Sequence, residues 1–341
     1  MVKCPSKAKN QALLRTFFNG VIKITIKSFF RLVELPTKVA SVIPFLLGTI
    51  YSVYTYESFN FTNFIFMFLS LISIDMVTTA INNYMDYKKA IKTQGFNYEE
   101  HNAIVAFGLK ESTVLITIFT LLASGIVFGI LLFLNTNIVI LLLGAVSFGI
   151  GILYSFGPVP ISRTPLGELA SGLTMGLIIT FLAAYIHVFQ GDLLSLSLSS
   201  GSLLINMNLA GIISLLFVAL PAVAGIANIM LANNLCDMED DRENRRYTLP
   251  IYIGRERGLL LFKWLYYISY IVIIVLILLG IEPVTAILVL LTFIPVNKNI
   301  KSFFELQTKK DTFILAVKNF IMISLAHVIA LVLGVILKII L

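Results

Sequence analysis

The sequence predicts an all-α polytopic membrane protein, with nine transmembrane helices around a central cavity and an interfacial N-terminal helix before them. Three observations predict it. Of 341 residues, 58% are hydrophobic and 13% are charged, against about a quarter charged in soluble domains, and the mean hydropathy is +0.94. The apolar residues gather into long runs, most of them near the roughly 20 residues that carry a helix across a bilayer. Lys and Arg are confined almost wholly to alternate connections between those runs, the asymmetry that marks the cytoplasmic face.

Residues 1–34 are basic and amphipathic, with Arg15, Lys23, Lys27 and Arg31 among Phe17, Phe18, Phe29 and Phe30, a pattern that predicts a helix lying in the membrane interface. The apolar runs then cover roughly 36–56, 62–86, 113–134, 137–155, 167–189, 207–235, 258–280, 282–297 and 312–340. The eighth is short for a span, but so apolar a segment is out of place in water. With the N-terminus inside, the connections near Glu57–Thr62, Asn135–Asn137, Gln190–Asn206 and Ile281–Glu282 face outward and contain no Lys or Arg. Of the 25 basic residues only Lys338 falls on the outer side. The reading is a multi-pass protein of a bacterial-type cell membrane in contact with lipid, its N-terminus and candidate site loops cytoplasmic and its C-terminus outside. The net charge of +7 then marks a membrane face rather than a nucleic-acid partner. Cys4 and Cys236 form no CxxC pair and read as free thiols. The first long apolar run begins only near Pro36, so no secretory signal is expected.

An internal repeat organises the chain. Asn82-Asn83-Tyr84-Met85-Asp86 closes the second run, and Asn233-Asn234-Leu235-Cys236-Asp237, 151 residues later, closes the sixth. This divides a single transmembrane domain, 35–341, into two four-helix halves, about 35–155 and 166–297, with a ninth helix, 312–340, appended, and it brings both runs to one central cavity.

The densest chemistry lies in Ala232–Gly254. Asn233, Asp237 and Asp241 are spaced i, i+4, i+8, one face of a continuing helix. A carboxylate pair there suits Mg²⁺, which takes one or two carboxylates together with phosphate oxygens. Arg242, Arg245 and Arg246 follow, and guanidinium forks suit a diphosphate. In the second run Asp75, Thr79, Asn82 and Asp86 form one helical stripe. Asp75 lies about 10 Å deeper than Asn82, where an unpaired charge costs about 3 kcal/mol, so it faces either a cavity or a hydrogen-bonding neighbour. A third run, from Tyr154 to Glu168, holds three prolines and two glycines and reads as a stiff loop. Tyr154 and Arg163 are in position to reach a phosphate, while Glu168 at a helix start also suits the helix dipole. Lys88, Lys89, Lys92, His101 and Lys110 fit the cytoplasmic charge bias, with Lys92 kept as a diphosphate candidate. His187 and His327 stand alone, without ligand spacing.

These three runs resemble the UbiA superfamily of intramembrane aromatic prenyltransferases, and within it the branch acting on 1,4-dihydroxy-2-naphthoate in menaquinone synthesis, over about Glu34–Gly254. The resemblance implies nine helices around a cavity and two aspartate-rich motifs that hold Mg²⁺ and a polyprenyl diphosphate. Carried onto this chain, it implies Asp86, Asp237, Asp241 and Asn82 at the metal, with Asn233 completing the shell. Asn234, Lys92, Tyr154, Arg163, Arg242, Arg245 and Arg246 are implied at the substrate, and Asp75 as a candidate for holding an acceptor hydroxyl or taking a proton. The implied reaction joins the prenyl chain to a small aromatic acceptor, with loss of CO₂ from dihydroxynaphthoate to give demethylmenaquinone. The chain departs from the usual pattern at Asn83 and Ala90, which stand where the first motif commonly has Asp, and at Arg245 and Arg246, which replace a Gly-Lys pair. Rival readings are another acceptor within the superfamily, such as 4-hydroxybenzoate or haem, and a transporter with broken helices. A CDP-alcohol phosphotransferase would need a longer acidic pattern that this chain lacks.

Overall fold

The computed structural model describes residues 24–89, 102–155, 159–191, 193–199 and 202–341. Lys92, Ala90, His101 and most of the basic N-terminal segment therefore lie outside the described residues. Among those described, eight helices are long and apolar enough to cross a membrane, so the protein is an integral, multi-pass, all-α membrane protein. A further apolar stretch, Ile138–Tyr154, is helical but shorter. The chain divides into two compact units, the smaller comprising the described residues up to Lys38 together with Ser70–Val127, the larger Val39–Leu69 and Phe128–Leu341.

The smaller unit begins with α1 (Ile26–Leu32), whose start is fixed by a reciprocal capping box between Thr25 and Ser28. The helix α3 (Phe61–Lys89) contributes its latter part, followed by the short α4 (Ala103–Ala106) and the first turns of α5 (Glu111–Asn135). Leu32, Val77, Ile104, Val114 and Ile118 form the buried centre. Asp75, on α3, meets the Lys38 ammonium at 2.5 Å, and the same ammonium reaches Thr79 Oγ1 at 2.6 Å. The deep carboxylate thus has a buried cationic partner, the hydrogen-bonded alternative open to it in the sequence.

The larger unit holds α2 (Val39–Tyr56), α6 (Ile138–Ser155), α7 (Gly167–Tyr185) and α8 (Leu209–Cys236). After them come α9 (Met238–Glu243), α10 (Leu249–Ile253), α11 (Arg255–Leu278), α12 (Val284–Glu305) and α13 (Phe313–Ile340). Leu231 and Leu235 of α8 pack with Phe262 and Tyr266 of α11 and Phe303 of α12, the Phe262 and Phe303 rings 4.6 Å apart. In lipid such contacts stabilise by close packing rather than by exclusion of water. The tightest approach joins α7 to α8. A Cβ at Gly176 would fall 2.6 Å from the Val223 backbone and one at Gly172 2.8 Å from the Val223 carbonyl oxygen. This small-xxx-small pair lets two backbones touch. Through Gly172–Ile178 the helix widens to π geometry, a departure common beside functional sites.

Several boundaries differ from the sequence expectation, each for a physical reason. α12 continues to Glu305, past the expected end near residue 297, because Val296, Ile300 and Phe303 keep a buried face at helical spacing after the apolar run stops. α7 ends at Tyr185, four residues short of the expected 189, in hydrogen-bonded turns. The connection read as a plain outer loop, Gln190–Asn206, contains an antiparallel hairpin, β1 (Leu194–Ser199) with β2 (Ser202–Met207), in register from Leu194↔Met207 to Ser199↔Ser202. The Leu-Ser alternation of LSLSLS carries the period-2 strand signal.

At the same end of the larger unit Lys338 of α13 lies 2.7 Å from Glu57, just beyond α2. His187 Nδ1 accepts from the Asn60 amide at 2.9 Å, and His327 pairs with Glu282 at 2.7 Å, both fully buried.

Candidate active site

The second acidic run begins inside α8. Asn234 is fully buried, and its side-chain amide donates to Glu168 Oε1 at 2.9 Å. Glu168 opens α7, so the tie locks the start of that helix to the end of α8, where the glycine contacts already press the pair together. Glu168 Oε2 and Asn234 Oδ1 are buried without a hydrogen-bond partner among the described residues. Tyr154, at the end of α6, lies beside Ser171, Glu168 and Arg246.

Asp237 ends α8 as its C-cap, its amide bonded to the Asn233 carbonyl at 3.1 Å. The Asp241 amide bonds back to the Asp237 carbonyl at 2.7 Å. The two carboxylates therefore stand one helical turn apart, as the spacing predicts, although the chain changes from α8 to α9 between them. Both are nearly buried, at 9% and 2% exposure. Asp237 Oδ2 contacts the Lys309 ammonium at 2.6 Å. Asp241 Oδ1 lies 3.2 Å from Arg246 Nε, an ion pair in which Nε is not aligned for a hydrogen bond, and Oδ2 accepts from the Thr248 hydroxyl at 3.3 Å. Burial pushes the Asp241 carboxyl above the usual aspartate range, and the Arg246 charge only partly opposes it.

The turn after α9 is closed by the Arg246 amide donating to the Asp241 carbonyl at 2.8 Å. Arg245 sits in it at φ +53°. Arg245 stands where the resemblance has glycine. The structure keeps the left-handed, glycine-type conformation, and the arginine bears the strain. The Tyr247 amide then donates to the Arg163 carbonyl at 3.2 Å, joining this turn to the proline loop. Between them opens a cavity of about 340 Å³ lined by Arg163, Thr164, Arg245, Tyr247 and Tyr252. Arg163, Arg242 and Arg245 are exposed.

The larger unit thus gathers Asn234, Asp237, Asp241, Tyr154, Arg163, Arg245 and Arg246, with Asn233 half-buried a turn before Asp237. The smaller unit carries the first run. There Asn82 and Asp86 are exposed on α3, while Asn83 is buried and donates to the Leu32 carbonyl at 3.1 Å and to Glu34 Oε1 at 3.3 Å. Three participants escaped the sequence reading. Lys309 was legible only as cytoplasmic charge. Thr248 carried no signal. The partner of Asn234 is Glu168, 66 positions away.

Two buried carboxylates ringed by cations suit a hard divalent ion. Among the described residues no three His, Cys, Asp or Glu side chains converge, so the chain offers a pair rather than a cage. That donor set fits Mg²⁺, which keeps waters and draws its remaining ligands from substrate phosphates.

Comparison with known proteins gives the family. The chain is 29% identical over 244 residues to the 1,4-dihydroxy-2-naphthoate octaprenyltransferase of Bacillus subtilis (strain 168), a match covering 72% of this chain and 71% of that protein. Its fold is similar to an apo UbiA homologue from Aeropyrum pernix K1, with a TM-score of 0.61, 16% identity, and 93% and 100% of the two chains covered. It is also similar to a UbiA homologue from Archaeoglobus fulgidus bound to GPP and Mg²⁺, with a TM-score of 0.59, 15% identity, and 90% and 99% covered. Residues 41–336 match the UbiA prenyltransferase family, and the chain belongs to that family.

Proposed function

We propose that this protein transfers a polyprenyl chain from polyprenyl diphosphate to 1,4-dihydroxy-2-naphthoate, releasing diphosphate and CO₂ and giving demethylmenaquinol, the reduced form of demethylmenaquinone. The observation that carries the reading is the pair Asp237 and Asp241, one turn apart at the end of α8 and flanked by Arg246 and Lys309. The Bacillus subtilis relative supports the choice of acceptor. When bound, Mg²⁺ would supply the positive charge that stabilises a departing diphosphate. Asp237 and Asp241 would hold it, with Asn233 beside them. Asn82 and Asp86 are assigned to the same chemistry on the strength of the repeated sequence run. Arg163, Arg242, Arg245 and Arg246 neutralise phosphate oxygens, and Lys92 and Tyr154 are assigned there from sequence. The apolar helices around the site keep water from an allylic cation, and the acceptor ring attacks C1 of the prenyl chain and regains aromaticity as its carboxylate leaves as CO₂. Asp75 remains a candidate for the acceptor hydroxyl, in competition with its Lys38 pair. The loops carrying the site are assigned to the cytoplasmic side and the C-terminus to the outside.

The test uses purified protein in nanodiscs with farnesyl or geranylgeranyl diphosphate and 1,4-dihydroxy-2-naphthoate, with Mg²⁺ or EDTA, and mass spectrometry of the products. A prenylated, decarboxylated naphthoquinol, or the quinone that air makes from it, formed only with Mg²⁺ is the expected result. Prenylation of 4-hydroxybenzoate instead would change the acceptor and leave the reaction class intact.

A further inference from the structure

The two acidic residues proposed to hold the metal are both paired with cations, and the two cations come from different places. Arg246 belongs to the acidic stretch itself. Lys309 belongs to the connection between α12 and α13, 72 positions beyond Asp237. That connection is built and anchored. Gln307 is clamped by its amide donating to the Phe303 and Phe304 carbonyls at 2.7 and 3.0 Å, and its Oε1 accepts from Arg255 Nη1 at 2.9 Å. Thr308 Oγ1 donates to Asp311 Oδ2 at 3.1 Å, and the Thr308 amide donates to Thr312 Oγ1 at 2.9 Å, closing the turn from which Lys309 projects. The Lys309 side chain is 56% exposed, yet its ammonium lies 2.6 Å from a carboxylate that is only 11% exposed.

We propose that Lys309 is a diphosphate-binding residue of this site. It neutralises Asp237 and passes to a phosphate oxygen of the donor when Asp237 turns to the metal. The inference rests on the proposed function for the identity of the anion. Its physical basis is charge. An ammonium and a divalent cation cannot share one carboxylate oxygen without strong repulsion, and a Lys head is a compact charge on a flexible stem able to move to the nearest anion. The anchored turn keeps that movement local, so the ammonium stays within reach of whatever Asp237 binds.

Two opposed effects follow from removing Lys309, and a structural role would produce neither. In Lys309→Ala, the Mg²⁺ concentration for half-maximal thermal stabilisation falls, because a competing cation is gone. Binding of inorganic pyrophosphate at saturating Mg²⁺, measured by calorimetry, weakens about tenfold, the loss of one charge-assisted bond. Lys309→Arg restores most of the pyrophosphate binding, and Lys310→Ala, a control in the same turn, changes neither reading. Unchanged Mg²⁺ and pyrophosphate binding in Lys309→Ala overturns the inference while leaving the proposed function standing, and a lowered melting temperature alone does the same. Failure of the unaltered protein to bind pyrophosphate with Mg²⁺ overturns both.

Discussion

The two NNxxD runs share a sequence and differ in what surrounds them. In each, the second Asn is buried and donates to a Glu near the start of the preceding span, Asn83 to Glu34 just before α2 and Asn234 to Glu168 in the first turn of α7. In each, the first Asn is less buried than the second. The difference is in the partners. Glu34 is exposed, and α3 runs on through Lys89 beyond Asp86. Glu168 is buried, α8 stops at Asp237, and a second carboxylate follows at once, paired and buried. One run is a helix that passes the membrane surface. The other is a helix end remade into a charged pocket. The repeated letters therefore encode two things at once: a structural tie at the second Asn, and a chemical position at the Asp whose strength depends on what the chain adds around it.

The largest expected effect breaks the comparison at the acid. Asp237→Asn removes a carboxylate from the pair and lowers single-turnover prenyl transfer about a thousandfold, the scale of losing a preorganised electrostatic group, with expression and folding intact. Asp86→Asn lowers it less. A normally active Asp237→Asn protein would end the metal assignment.

The next effect sharpens the comparison at the tie. Asn234→Ala removes the side-chain donor of the buried Glu168 carboxyl and costs about 2–3 kcal/mol, read by thermal unfolding in detergent. Asn83→Ala costs about 1 kcal/mol, because water solvates the exposed Glu34. Equal losses would mean that the two ties are equivalent after all. The tie also accounts for Asn83 standing where the family often has Asp: its side chain donates to a carbonyl and a carboxylate, which an ionised aspartate cannot do.

A smaller effect is read in pH. Because burial raises the Asp241 carboxyl, protons compete with a cation there at a higher pH than at an ordinary aspartate. The Mg²⁺ requirement therefore rises as pH falls, beginning above the usual aspartate range, and Arg246→Ala moves the onset higher still. Mg²⁺ titrations at stepped pH check the sign. The smallest effect is at Arg245. Arg245→Gly relieves a left-handed arginine and stabilises the fold by about 1 kcal/mol, at the cost of one guanidinium in the cavity, measured as a rise in KM for the prenyl diphosphate.

Much of this was legible in the sequence. Hydropathy alone located the spans, since lipid demands helices of a fixed length. Asp237, Asp241 and the arginines announced themselves by interrupting an apolar run at helical spacing. What stayed hidden was pairing over distance. Lys38 carried no reading of its own until it met Asp75, Glu168 read as a dipole partner until it met Asn234, and Lys309 lay in a connection with no motif. Periodicity speaks of faces, and a partner on another helix leaves no periodic trace. The hairpin is a different kind of omission, since its alternation stood in the sequence and was passed over because an outer loop was expected there.

The contact between Lys338 and Glu57 bears on a matter of counting. It ties the far end of the last helix to the far end of α2, so the two ends share a side, and the chain must cross an even number of times between them. Seven of the longer helices follow α2. Among the described residues an even count is reached if Ile138–Tyr154, the short apolar helix, makes the remaining passage.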